Sequence, residues 1–249
     1  MERRIIGCGL LAGAIAGALA FLFARIFVEP VIDRAIGYED GAGAAMAHDH
    51  GGHVQNVELF SRGVQANIGM GFGVLAFGVA MGALFAVVYC VAYGRVGNLS
   101  PRLLSVLVAG GMLLSLYVIP ALKYPANPPA ASLAETIRQR TLLYLLMVVV
   151  SATALVAAGY VGRRLAPRLG AWNATLAAAG SYVVAVAVVM LVLPTVDETA
   201  EHFPADDLYG FRLYSLGTQI VMWTTIALVF APLAARLLGE ARRTESVAA

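Results

Sequence analysis

Apolar residues run with almost no charge through six stretches: Ile5–Val28, Val64–Tyr93, Leu103–Pro120, Thr141–Val161, Ala174–Leu193 and Leu213–Leu237. The exceptions, Arg25 and Arg236, lie near the ends of the first and last, where a long side chain reaches the headgroups. A helix needs about 20 apolar residues to span a bilayer. The pattern therefore predicts an all-α polytopic integral membrane helix bundle with six transmembrane helices, or five if the third fails to insert. That third stretch is short and carries Gly110 and Gly111. The fifth is the clearest: its six Val and three Leu contribute roughly −4 kcal/mol on an insertion scale. One membrane domain over 1–249 is expected, with an outer acidic, histidine-containing loop at 29–63 and a cytoplasmic tail at 239–249.

Composition agrees. The 249 residues are 60% apolar and 13% charged, with mean hydropathy +0.79, against about 25% charged in a soluble domain. No GxxxxGK[ST] loop is present, so the chain carries no nucleotide-driven engine of its own. Cys8 and Cys90 sit in apolar runs and behave as small hydrophobes. The apolar run Ile5–Ala24 is longer than the ~7–15 residue core of a cleaved signal, so a retained first helix is expected.

Charge sets the expected orientation. With six spans and the N terminus inside, the inner side holds ten Lys and Arg against six outside, so both termini should be cytoplasmic. Twelve of the 15 acidic residues and all four histidines then fall outside, making that face attractive to cations and giving no reason to expect a nucleic-acid partner.

Candidate chemistry concentrates in the first outer loop. His48-Asp49-His50-Gly51-Gly52-His53 puts three imidazoles and a carboxylate within six residues of glycine-containing chain, a donor set suited to divalent Co, Ni, Cu or Zn. His202 lies in another outer loop. A solvated linker with incidental histidines is the competing reading. No histidine lies inside a span, which excludes a bis-histidine haem, an HExxH intramembrane protease and a Ser-His protease. No catalytic constellation and no resident cofactor are expected, so the chain is read as a non-enzyme.

Polar groups at span ends, Gln65, Asn67, Asn173, Thr218 and Gln219, suit either a transport path or interhelical hydrogen bonding. Arg25 and Glu29 are spaced to pair along the first helix. Gly9, Gly13 and Gly17 in the first helix and Gly69, Gly73, Gly78 and Gly82 in the second predict close packing, expected through Gly13 and Gly73.

Several segments carry a family resemblance: Phe23-Ala24-Arg25 with Glu29-Pro30 and Asp33-Arg34, Ser61-Arg62-Gly63-Val64-Gln65, Leu99-Ser100-Pro101-Arg102, the turn Lys123-Tyr124-Pro125-Ala126-Asn127-Pro128-Pro129, Arg140-Thr141, Leu169-Gly170-Ala171-Trp172-Asn173, Phe211-Arg212 and Ser215-Leu216-Gly217-Thr218-Gln219. Together they resemble the CbtA family, described as the membrane subunit of a predicted cobalt transporter. The resemblance spans the first helix to the last and implies a permease subunit for a divalent transition-metal cation in the cell inner membrane, serving cobalt uptake linked to cobalamin metabolism. It also implies a small single-span, histidine-bearing partner of the CbtB kind. Arg25, Glu29, Asp33, Lys123, Asn127, Arg140, Arg212 and Gln219 are its matching positions; the histidine segment has no counterpart in the pattern. The alternatives are a non-transporting scaffold or assembly factor that packs against a partner subunit, and a membrane enzyme acting on a lipid-linked substrate.

Overall fold

The computed structural model describes residues 2–38, 62–97, 99–129, 131, 136–196 and 203–248. Five helices among them are long and apolar enough to cross a membrane. These are α1 (Glu2–Tyr38), α2 (Gln65–Ala92), α3 (Pro101–Lys123), α4 (Ile137–Val192) and α5 (Ala205–Ala248). The short third stretch does form a helix. The count falls from six because the fourth and fifth predicted spans join as α4, a run of 56 residues.

At 1.5 Å per residue such a helix would measure about 84 Å, more than twice a bilayer core. It does not run straight. Gly170 takes φ 76° and ψ 161°, a conformation that suits glycine alone, and breaks α4 into arms 137–169 and 171–192. Ser151 meets Tyr182 oxygen to oxygen at 2.7 Å, and a Cβ on Gly162 would lie 3.0 Å from that of Ala178. These contacts fix the arms as an antiparallel hairpin, so the described residues carry six apolar helical segments.

The helices form two compact units. The first holds α1, α2, α3 up to Gly110, and α5; the second holds the rest of α3, the turn after it as far as Asn127, and α4. In the first unit α1 and α2 meet along glycine. A Cβ on Gly78 would fall 2.7 Å from the Gly13 carbonyl oxygen and 2.7 Å from Gly17 Cα, and one on Gly82 would fall 2.7 Å from Gly13 Cα. Gly9 faces Gly82 and Ala86, and Gly17 faces Leu75. The pairing Gly9/Gly82, Gly13/Gly78, Gly17/Leu75 is an antiparallel seam. Gly73, the expected partner of Gly13, has no atom within 4 Å of its Cβ position. It lies five residues before Gly78, off the stripe that faces α1.

Pro30, two residues past the first apolar stretch, and Pro120, the last residue of the third, lie inside helices. Pro30 and Pro120 each follow a π-helical turn by two residues, Ala24–Val28 and Leu114–Val118. A proline in a helix lacks its N–H and crowds the carbonyl four residues back. The wider π turn relieves that crowding, and the Leu116 carbonyl, four before Pro120, accepts a hydrogen bond from the Tyr144 hydroxyl at 3.1 Å. Thus α1 runs on to Tyr38, ten residues past the predicted end of the span.

The connection from α2 to α3 turns through Gly94 (φ 74°) and Gly97 (φ 92°). Ser100 caps α3, its hydroxyl accepting from the Leu103 amide at 3.2 Å, with Pro101 opening the helix. Large apolar side chains face outward, Phe72 at 76% and Leu191 at 85% exposed, as lipid-facing surface requires.

The seam yields a contrast between neighbouring glycines. Gly13→Leu and Gly78→Leu should each lower the unfolding temperature and monodisperse yield of detergent-solubilised protein, since overpacking costs about 1–3 kcal/mol or more. Gly73→Leu should leave both unchanged. Equal behaviour of the three variants would show that no such seam exists.

Candidate functional site

The α1/α2 register that pairs Gly13 with Gly78 brings two π turns opposite each other, Ala24–Val28 on α1 and Gln65–Gly69 on α2. Arg25 Nε donates to Asn67 Oδ1 at 3.0 Å between them. The turn on α2 has no proline behind it. Asn67 Nδ2 instead donates back to the Gly63 carbonyl at 2.9 Å, supplying a donor from the side chain where the helical ladder is disturbed.

One turn beyond Arg25, Glu29 is buried to 2% exposure. An acidic side chain buried inside a helix that is apolar enough to cross a membrane is costly and marks a functional position by default. It is not without a partner. The third wall is α5, antiparallel to α1. Phe23 packs on Gly217, where a Cβ would meet the ring at 2.7 Å, Val31 lies against Gly210, and Arg34 Nε bonds Asp207 Oδ1 at 2.7 Å. In that register Arg212 stands at the height of Glu29. Phe23, Phe27 and Tyr214 pack alongside with tilted rings, centroids 4.6 and 5.7 Å apart.

The eight family-pattern positions therefore divide. Arg25, Glu29, Asp33, Arg212 and Gln219 belong to the first unit; Lys123, Asn127 and Arg140 belong to the second. There Tyr124 and Pro125 strap the hairpin. Tyr124, 2% exposed, donates its hydroxyl to the Pro194 carbonyl at 2.8 Å, and Arg140 Nη2 donates to the Pro125 carbonyl at 2.7 Å. Burial pushes the Tyr124 hydroxyl above its ordinary pKa.

The metal candidates His48, Asp49, His50, His53 and His202 lie outside the described residues. Among the described residues no group of three or more His, Cys, Asp and Glu is placed to hold a metal ion. Three features escaped the sequence reading: Asp207 as the mate of Arg34, the facing π turns, and the buried Ser151–Tyr182 pair. Only the prolines at 30 and 120 signalled any of this, by marking where a continuing helix must widen.

Compared with known families, the chain matches the sequence model described as "Probable cobalt transporter subunit (CbtA)" over residues 2–235. No curated protein and no solved structure matches it.

The strap supplies a prediction. Tyr124→Phe should destabilise the folded protein by about 1 kcal/mol, the net worth of one hydrogen bond. Because the folded-state pKa is raised, the hydroxyl's contribution is complete below the unfolded value of about 10 and is lost as pH rises through the folded value. Denaturation followed at pH 8 and pH 11 should show a smaller alkaline loss for the variant. An identical loss in both proteins would remove Tyr124 as its source.

Proposed function

The chain belongs to the CbtA family, and we propose that it is the membrane permease subunit through which a divalent transition-metal cation, cobalt, enters the cell. The observation that carries this reading is a family match over nearly the whole multi-pass chain. A potential of 100 mV is worth about 2.3 kcal/mol per elementary charge, so a divalent cation moving toward a negative interior gains about twice that and needs no ATP. Charge supports the same direction, with acids and histidines gathered on the face assigned to the outside.

On this reading both termini lie in the cytoplasm of an inner membrane, and the chain works with a small single-span, histidine-bearing subunit of the CbtB kind in cobalt supply to cobalamin metabolism. The name "subunit" supports a partner of some kind. The scaffold alternative drew on the glycine faces of α1 and α2. Gly9, Gly13, Gly17, Gly78 and Gly82 are spent on each other, which takes that surface away from a partner.

Radiolabelled cobalt uptake in cells with and without the gene, the partner gene present in both, tests the proposal: a several-fold excess with the gene is expected, and no difference rejects transport. A reporter active only outside, fused after Ala249, should stay silent, whereas a strong signal means an odd number of passes. His48, His50 and His53 changed together to Ala should lower uptake at limiting cobalt without changing the amount of inserted protein. Acidification toward pH 5 should also release loop-bound metal, since imidazole ligates only when neutral and its ordinary pKa is about 6.5. Parent-rate uptake by the triple variant would make the loop a linker.

A further inference from the structure

We propose that the tip of the α4 hairpin binds the phosphate headgroup of an anionic phospholipid, with Arg164 and Arg168 as its cations and Tyr160 and Trp172 as its interfacial aromatics. The site follows from how this unit meets a bilayer and does not depend on what the chain transports.

Length sets the position. Residues 141–162 are uncharged and, at 1.5 Å per residue, measure about 33 Å, close to the ~30 Å of a hydrocarbon core. Arg163 and Arg164 therefore stand at its boundary, and the arm continues helical past Arg168 before Gly170 reverses it. Arg168 and Trp172 each lie two residues from that reversal, which places both in the headgroup layer.

Charge selects the ligand. From Thr136 to Val196 the sequence has no Asp or Glu, so Arg163, Arg164 and Arg168 share their element with no acid. The nearest acids along the chain, Glu135 and Asp197, adjoin the far ends of the two arms in sequence. A phospholipid with net negative charge compensates the tip, whereas phosphatidylcholine brings an ammonium of its own.

The geometry of the clamp is set at Arg164. Its Nε donates to the Tyr160 hydroxyl at 2.8 Å, and its guanidinium carbon lies 5.1 Å from the centre of the Tyr160 ring. Tyrosine thus orients the side chain before a ligand arrives, and the two Nη nitrogens form the planar fork that meets two phosphate oxygens. Apolar surface leads from this cation toward the bilayer centre. Val149, Val156, Tyr160 and Arg164 follow at steps of seven, four and four residues, one stripe along the arm. Val156 is 75% and Tyr160 57% exposed. A lipid on this stripe lays its acyl chain beside valine and its phosphate beside guanidinium, an arrangement that a soluble anion or an acidic peptide would not use. Trp172, 75% exposed, adds an amphipathic ring of the kind that settles at headgroup level.

Thermal unfolding of the purified, detergent-solubilised full chain, with dioleoylphosphatidylglycerol or dioleoylphosphatidylcholine added at equal mole fraction, tests the site. Phosphatidylglycerol should raise Tm by several degrees more than phosphatidylcholine, and high salt should shrink the difference. Arg164→Gln should remove at least half of it, and Arg163, Arg164 and Arg168 changed together to Gln nearly all of it, while Tm in phosphatidylcholine stays at the parent value. Tyr160→Phe, which removes the hydroxyl that holds Arg164, should cost a smaller part. Arg138→Gln, near the other end of the same arm, should keep the full difference. If the triple variant fails to fold, Arg168→Gln takes its place beside Arg164→Gln and should also lose part of the difference. Inorganic phosphate should leave Tm unchanged.

Equal stabilisation by the two lipids overturns the proposal, as does an undiminished difference in Arg164→Gln or a loss in Arg138→Gln as large as in Arg164→Gln. Stabilisation by inorganic phosphate equal to that by phosphatidylglycerol also overturns it, because the tip would then bind a soluble anion and no lipid.

Discussion

The Gly13 carbonyl lies where a side chain on Gly78 would have to stand, and the rest of the first unit depends on that approach. In lipid no hydrophobic force drives helices together, so van der Waals contact and interhelical hydrogen bonds must do it. Backbone contact along Gly9, Gly13 and Gly17 supplies the first and fixes the α1/α2 register. The second follows from the register, because Arg25 and Asn67 fall opposite each other only if the glycines do. Aromatic packing completes the unit on the α5 side, where Phe85 and Tyr89 of α2 each meet Phe230 edge-on, at 5.0 and 4.9 Å.

Proline acts here as a shaping residue. In water a proline inside a helix is most simply read as an end. In a membrane the chain has little freedom to leave the helix, since an unpaired carbonyl in hydrocarbon is costly. The π turn resolves the conflict by widening one loop of the helix and presenting the freed carbonyl to a neighbour, as Leu116 does to Tyr144. Ser115 adds a bond to the Gly111 carbonyl at 2.7 Å in the same region. The cost of proline is thereby converted into a tie between helices.

This explains what could be read from the sequence and what could not. Span location was legible because it depends on local composition, and every predicted apolar stretch is helical. Helix ends were not, because Pro30 and Pro120 have different consequences in lipid than in water. That the first two helices pack through glycine was legible from spacing, and Gly13 was identified correctly. Its partner was not, since Gly73 and Gly78 belong to overlapping small-residue patterns and only the register separates them. The fourth and fifth spans were correctly placed, but the helical path between them through Arg163, Pro167 and Gly170 had no hydropathic signature. Among the site residues, Arg25 and Asn67 were each noticed; their hydrogen bond was not, because it joins positions 42 apart through a third feature, the glycine seam.

Where selectivity for a metal arises follows from the physics of dehydration. Three imidazoles within a short segment suit late transition metals, but affinity alone follows the Irving–Williams order and gives cobalt no advantage over copper. Discrimination requires ligands whose number and separation are set by something stiffer than the ligands themselves. Helices locked by backbone contact meet that requirement, and a loop does not. Among the described residues the glycine seam of α1 and α2 is stiff in this sense, because its backbone contacts fix the register of the two helices.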